Sequence, residues 1–130
     1  MSDKTAPQRG RRTLLIFTDL DGSLLDHFTY SFAEAQLALD VLERLKIPWI
    51  PNTSKTFAEL QPLRAQLEHT GPFVVENGAA IYIPGEHPLA QFASLDKING
   101  YAVQRFGKLR CDLLELLEPL RSRYRFTSFS

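Results

Sequence analysis

An α/β domain built around a parallel sheet is the fold this sequence predicts, and three features carry the prediction. Short apolar runs end in polar or turn-forming residues, segments with helical spacing separate those runs, and a pair of acids stands at the exit of the first one. Strand, helix, strand, helix, strand is the order of a parallel sheet with right-handed crossovers, helices lying on both faces to give three layers.

The first strand is read from Leu14, Leu15, Ile16 and Phe17, an uninterrupted apolar run of the kind buried on both faces. Ser31 and Glu34 have the spacing of a capping box, and Phe32, Ala35, Leu39, Leu42 and Leu45 follow at helical intervals, predicting a helix over 32–46 that Pro48 ends. Trp49 and Ile50 form a second strand that gives way to Pro51 and Asn52. Thr56 and Glu59 repeat the capping box and open a second helix to about Leu67, with Pro62 expected to bend or interrupt it. After Gly71 and Pro72, a third strand of Phe73, Val74 and Val75 runs into Glu76, Asn77 and Gly78. Ala80 to Ile83 is its hairpin-like return.

Beyond Pro84 the character changes. Residues 85–100 read as irregular, Tyr101 to Phe106 as a strand, Leu109 to about Leu120 as a helix shortened by Pro119, and Tyr124 to Phe129 as another strand. This divides the chain into a flexible tail at 1–12, a core at 13–84 and a second α/β layer that begins at 85–130.

Composition narrows the function classes. Fifteen basic residues balance fifteen acidic ones, so no long-range field steers the chain to nucleic acid or an anionic membrane, and an anionic ligand must be held locally. Cys111 is the one cysteine, which excludes an internal disulfide framework and a cysteine-rich zinc site and suits a reducing cytoplasm. The apolar block after the basic first dozen residues is too short for a signal-peptide core, leaving a mitochondrial address as the minor alternative, and no run is long enough to span a bilayer. His27 and His69 have no partner at metal-ligand spacing and read as solvated, and Cys111 reads as a structural or half-exposed thiol.

The chemistry concentrates at Asp19 and Asp21. Alternate residues on an extended chain point the same way, so both carboxylates face the crevice beyond the carboxyl end of the first strand, where ligands bind in parallel sheets. Gly22 allows a sharp turn there. A calcium loop starting at Asp19 would need Gly and Glu where Leu24 and Tyr30 stand, and two chance acids in a solvated turn would set unpaired charges against an apolar strand. At the second strand's exit, Asn52, Thr53, Ser54, Lys55 and Thr56 bring hydroxyls, a cation and the free amides of a helix start, a combination suited to phosphate. Helix capping alone explains Thr56 but not Thr53, Ser54 or Lys55.

The run from Asp19 to Leu25 resembles the first motif of the haloacid dehalogenase phosphatases, and Thr53 stands at the position of that superfamily's second motif. With the Ser54-Lys55-Thr56 element and the Glu76-Asn77-Gly78-Ala79 turn, the chain is most similar to the mannosyl-3-phosphoglycerate phosphatase family. The resemblance implies a Rossmann-like core, here incomplete, with an α/β cap inserted after the third strand. It implies Asp19 as the nucleophile that becomes phosphorylated and Asp21 as the acid/base. Gly22, Thr53, Ser54 and Lys55 would contact substrate phosphate, and Mg2+ would rest on Asp19 and Asp21.

The implied partner is a small phosphate ester of a sugar or glycerate, mannosyl-3-phosphoglycerate in particular. Relatives continue through a third-motif lysine and a fourth-motif acidic cluster, which these 130 residues do not contain. The expectation is therefore a fragment, inactive by itself and prone to self-association. Two other classes compete with this reading: a phospho-acceptor receiver, which would carry an Asp where the third strand runs into Glu76 and Asn77, and a non-catalytic remnant that serves as a binding module.

Overall fold

The structure is a computed structural model that describes residues 14–91 and 96–124. The expected tail and all but the first residue of the expected strand from Tyr124 to Phe129 lie outside the described residues. The chain has the predicted α/β fold, divided into two compact units, Met1–Thr53 and Ser54–Ser130.

In the first unit, β1 (Ile16–Thr18) and β2 (Trp49–Pro51) pair in parallel with Ile16 opposite Trp49 and Thr18 opposite Pro51, and α1 (Gln36–Arg44) is the crossover between them. The expected capping box at Ser31 and Glu34 does not form. Ser31 Oγ accepts from the Ala33 amide at 3.2 Å, two residues on, and Ala35 and Gln36 donate back to Phe32 and Ala33 in tight three-residue steps. The serine builds a turn of its own instead of a cap. The helix consequently starts at Gln36, four residues later than Phe32, with Ala35 as an N-cap that makes no side-chain bond. At its other end Lys46 takes a positive φ of 53° and the Ile47 amide returns to Leu42 O, closing the last turn before Pro48.

The second unit begins with α2 (Phe57–Gln66), and here the capping box is complete: Glu59 N donates to Thr56 Oγ1, and Thr56 N donates to Glu59 Oε2 at 2.8 Å. The Thr56 amide and then its hydroxyl hold the Glu59 carboxyl below the usual glutamate range. Pro62 sits inside α2 without ending it, because the box fixes the turn before it and the buried Leu60 and Arg64 anchor the chain on either side. Likewise α3 (Arg110–Arg123) continues through Pro119, three residues beyond its expected end.

Four strands form the second unit's sheet, β3 (Phe73–Val75), β4 (Ala80–Pro84), β5 (Asp96–Ile98) and β6 (Tyr101–Arg105), in the antiparallel order β3-β4-β6-β5. The return strand after Val75 is as expected, with Phe73 opposite Tyr82 and Val75 opposite Ala80. Of residues 85–100, the described ones are more ordered than read from sequence. A 3-10 turn covers Pro88–Gln91, and β5 pairs with β6 through a two-residue connection in which Asn99 and Gly100 both have positive φ. Phe73, Val74, Val75, Ala80, Ala102 and Val103 are buried strand residues of this layer, and Phe73 stacks on Tyr82 with centroids 5.2 Å apart.

Apolar surface is left open in the first unit. Among the described residues β1 pairs with β2 alone, Leu14, Leu15 and Phe17 are exposed, and no residue of α1 is fully buried. A groove of about 630 Å³ runs between them, lined by Ile16, Leu24, Leu37, Val41, Leu42 and Trp49 among others. An uncharged strand edge beside such a groove templates association. Sedimentation velocity on the 130-residue chain is expected to show concentration-dependent self-association that Phe17→Lys reduces. A monomer at every concentration would contradict this.

Candidate functional site

Local forces place the acid pair. The β1–β2 ladder extends one residue past the strands, Asn52 N donating to Thr18 O at 2.8 Å, so Asp19 and Thr53 leave the sheet at the same carboxyl edge. Burial then alternates as the sequence predicts: Asp19 is exposed, Leu20 fully buried and Asp21 half-buried, with its Oδ1 out of contact with solvent. Leu20 is the anchor that sets both carboxylates on the other side of the chain. One Asp19 oxygen accepts from the Leu20 amide at 2.7 Å, which fixes the carboxylate's rotation.

Past Asp21 the chain doubles back. Leu25 N donates to Leu20 O at 2.8 Å, Gly22 N to Leu25 O at 2.9 Å, and Leu25 is buried beneath the turn. Gly22 has φ +72°, a conformation that side chains with a Cβ seldom adopt, although among the described residues the only atom near a Cβ there would be His27 Nδ1 at 3.8 Å. The Gly22 amide is engaged within the turn.

Thr53 is buried, with 2% of its surface exposed. Asp19, Asp21, Gly22 and Thr53 thus share the first unit, while Ser54 and Lys55 follow in the chain as the start of the second. Ser54 is exposed and Lys55 half-buried, and the Lys55 carbonyl accepts from Glu76 N at 3.0 Å. That bond ties the segment before α2 to the β3–β4 loop, where Glu76 and Asn77 have φ of 52° and 56°. The loop has four residues between Val75 and Ala80, so the Asn-Gly pair belongs to a longer hairpin than the two-residue form.

The Asp19 carboxylate and the Asp21 backbone carbonyl are hard oxygen donors of the kind that suits Mg2+, which is commonly held by one or two carboxylates with water and substrate phosphate completing the shell. Among the described residues no cluster of three or more His, Cys, Asp or Glu side chains forms a fuller metal site. His27 is exposed, as expected, and Cys111 is exposed rather than half-covered. His69 differs from its expectation: it is buried, and its Nδ1 accepts from Arg64 Nε at 3.3 Å. No described helix is long and apolar enough to cross a membrane.

The comparisons agree on one family. Residues 16–106 match the haloacid dehalogenase-like hydrolase model. A glucosyl-3-phosphoglycerate/mannosyl-3-phosphoglycerate phosphatase of Methanococcoides burtonii is 43% identical over 117 residues, covering 88% of this chain and 43% of that protein. A Pyrococcus furiosus mannosyl-3-phosphoglycerate phosphatase is 34% identical over 113 residues, 85% of this chain and 44% of its own length. The chain therefore spans less than half the length of the relatives it matches. Among solved structures, a hypothetical protein from Geobacillus kaustophilus aligns with TM-score 0.61 at 20% identity, over 86% of this chain and 37% of that one. A haloalkanoate-superfamily phosphatase from Bacteroides thetaiotaomicron aligns with TM-score 0.59 at 15% identity, over 94% and 40%. These two likenesses carry the fold.

Proposed function

Because the chain belongs to the haloacid dehalogenase-like hydrolase family, we propose that it supplies the nucleophile, the acid/base and part of the phosphate site of a phosphomonoesterase acting on mannosyl- or glucosyl-3-phosphoglycerate. The observation that supports this most directly is the delivery of Asp19, Asp21 and Thr53 to the carboxyl edge of one parallel strand pair. The substrate reading is supported by the relatives' names and by the Ser54-Lys55-Thr56 element that carries the family resemblance.

An Asp19 oxygen attacks phosphorus, the ester P–O bond breaks, and the departing hydroxyl takes its proton from Asp21. Asp21 then removes a proton from the water that attacks the aspartyl phosphate, freeing Asp19 and inorganic phosphate. Thr53, with Ser54 and Lys55 beside it in sequence, holds the phosphoryl oxygens. The Asp19 carboxylate and the Asp21 backbone carbonyl would hold Mg2+, which when bound would lower the repulsion between an anionic nucleophile and an anionic ester. In this reading residues 13–84 belong to the core, residues 85–130 begin the cap, and the setting is cytoplasmic. The 130 residues alone lack the lysine and acidic cluster that the family resemblance requires, so their own turnover is negligible.

The test joins these residues to the part of the Methanococcoides relative that they do not match. Phosphate release is measured, with and without magnesium, on both glycosyl esters and on unrelated sugar phosphates. Magnesium-dependent preference for the glycosyl-3-phosphoglycerates is expected; equal turnover of all esters, or none, would overturn the assignment.

A further inference from the structure

We propose that His27 and Phe28 form a platform for the glycosyl part of the substrate, a contact that rests on the phosphatase reading above and extends it beyond the phosphate. The two residues lie on the loop that directly follows the acid-pair turn. His27 Nδ1 is in van der Waals range of a Cβ placed on Gly22, at 3.8 Å, so the imidazole lies over the residue next to Asp21. Its ring meets Phe28 edge to face, with centroids 5.1 Å apart and planes at 80°. Phe28 is 86% exposed, more than any other large apolar side chain described.

A single exposed aromatic is ordinary on a protein surface. This one differs because its backbone is fixed. The Asp26 carboxylate accepts from Phe28 N at 3.1 Å and from Thr29 N and Thr29 Oγ1 at 2.8 Å. Asp26 N donates to Ser31 O, and Tyr30 N to Asp26 O. Those bonds, the Thr29 amide foremost, hold the Asp26 carboxyl below the usual aspartate range, so the loop's anchor is a carboxylate at neutral pH. Leu25, buried just before it, ties the loop to the turn.

The loop therefore holds an apolar ring face and an imidazole beside the proposed reaction centre. Those two surfaces match a pyranose: its C–H face covers an aromatic ring, and its hydroxyls exchange hydrogen bonds with an imidazole nitrogen. Inorganic phosphate or 3-phosphoglycerate offers the anionic end without the ring. The platform consequently selects for a glycosylated ester.

The experiment uses the 130-residue chain, 15N-labelled, with Mg2+ present and amide shifts followed through titrations with mannosyl-3-phosphoglycerate, 3-phosphoglycerate and inorganic phosphate. All three ligands are expected to move the amides around Asp19 to Gly22 and Thr53, and the mannosyl ester alone to move His27 and Phe28 strongly. In Phe28→Ala, the preference for the mannosyl ester over 3-phosphoglycerate should fall about tenfold, the size of one lost ring contact. If the mannosyl ester moves the Asp19 and Thr53 amides but not His27 and Phe28, or if Phe28→Ala keeps the preference, the platform is wrong and the phosphatase site stands. If no ligand moves the Asp19 and Thr53 amides, the site reading fails and the platform fails with it.

Discussion

Asp19→Asn, placed in the polypeptide that joins these residues to the remainder of the Methanococcoides relative, is expected to lower phosphatase turnover by about 10⁴-fold or more, the scale on which removing a covalent nucleophile acts. The exposed Asp19 is one residue beyond β1 and rotationally fixed through Leu20 N, as the proposed nucleophile needs. An amide there keeps the shape and loses the nucleophile. Asp21→Asn should behave differently. Proton transfer contributes about 10²–10⁴-fold, so turnover falls while a phosphorylated or beryllofluoride-bound Asp19 still forms. The 19F signal of beryllofluoride separates the two variants: present in Asp21→Asn, absent in Asp19→Asn. Near-normal turnover in Asp19→Asn would refute the mechanism, and equal loss of the signal in both would remove the division of labour between the acids.

Why the placement of the candidate residues was legible follows from where its information lies. Asp19, Asp21, Gly22 and Thr53 are positioned by strand alternation, a left-handed turn and a strand exit, all properties of a few consecutive residues. The complete cap at Thr56 and Glu59 is equally local. Ser31 and Glu34 have the same spacing and fail, because the serine hydroxyl is taken up two residues on, by Ala33 N, and the chain enters α1 through tight turns. Spacing alone does not say which amide a hydroxyl will find. The strand Asp96–Ile98 was readable in principle, since Asn99-Gly100 is the strongest short hairpin signal, yet its polar three-residue run carries no apolar alternation of its own. The buried state of His69 was not legible at all. His69 meets the Arg64 side chain from α2, which itself packs on Phe73 and bonds Tyr101 from two strands of the sheet, and no periodicity in the sequence encodes that meeting.

That meeting sets the largest expected loss of stability. Arg64, 7% exposed, donates from Nε to His69 Nδ1 at 3.3 Å, from Nη1 to Tyr101 Oη at 3.1 Å and from Nη2 to Gly71 O at 3.1 Å, with its guanidinium carbon 4.0 Å from the Phe73 ring centre. These acceptors are neutral, so the cation is held by dipoles and by an aromatic face instead of by an opposing charge. Replacing it with Met keeps the apolar stem but leaves a buried imidazole nitrogen, a phenol and a carbonyl without their donor. Each such orphan costs about 1–3 kcal/mol, and partial relaxation brings the expected total to about 3–4 kcal/mol. Arg64→Lys cannot reproduce a planar fork that serves three acceptors in different directions, and should recover less than half of that loss. Tyr101→Phe removes one acceptor of Arg64 and the hydroxyl's own long bond to Gln61 Oε1, and should cost about 1 kcal/mol. Chemical denaturation of the three variants checks the order: Met worst, Lys intermediate, Tyr101→Phe mildest. A Met variant as stable as the parent chain would mean that the guanidinium's burial cost cancels its hydrogen bonds, as happens when buried ions are exchanged for apolar groups of similar volume.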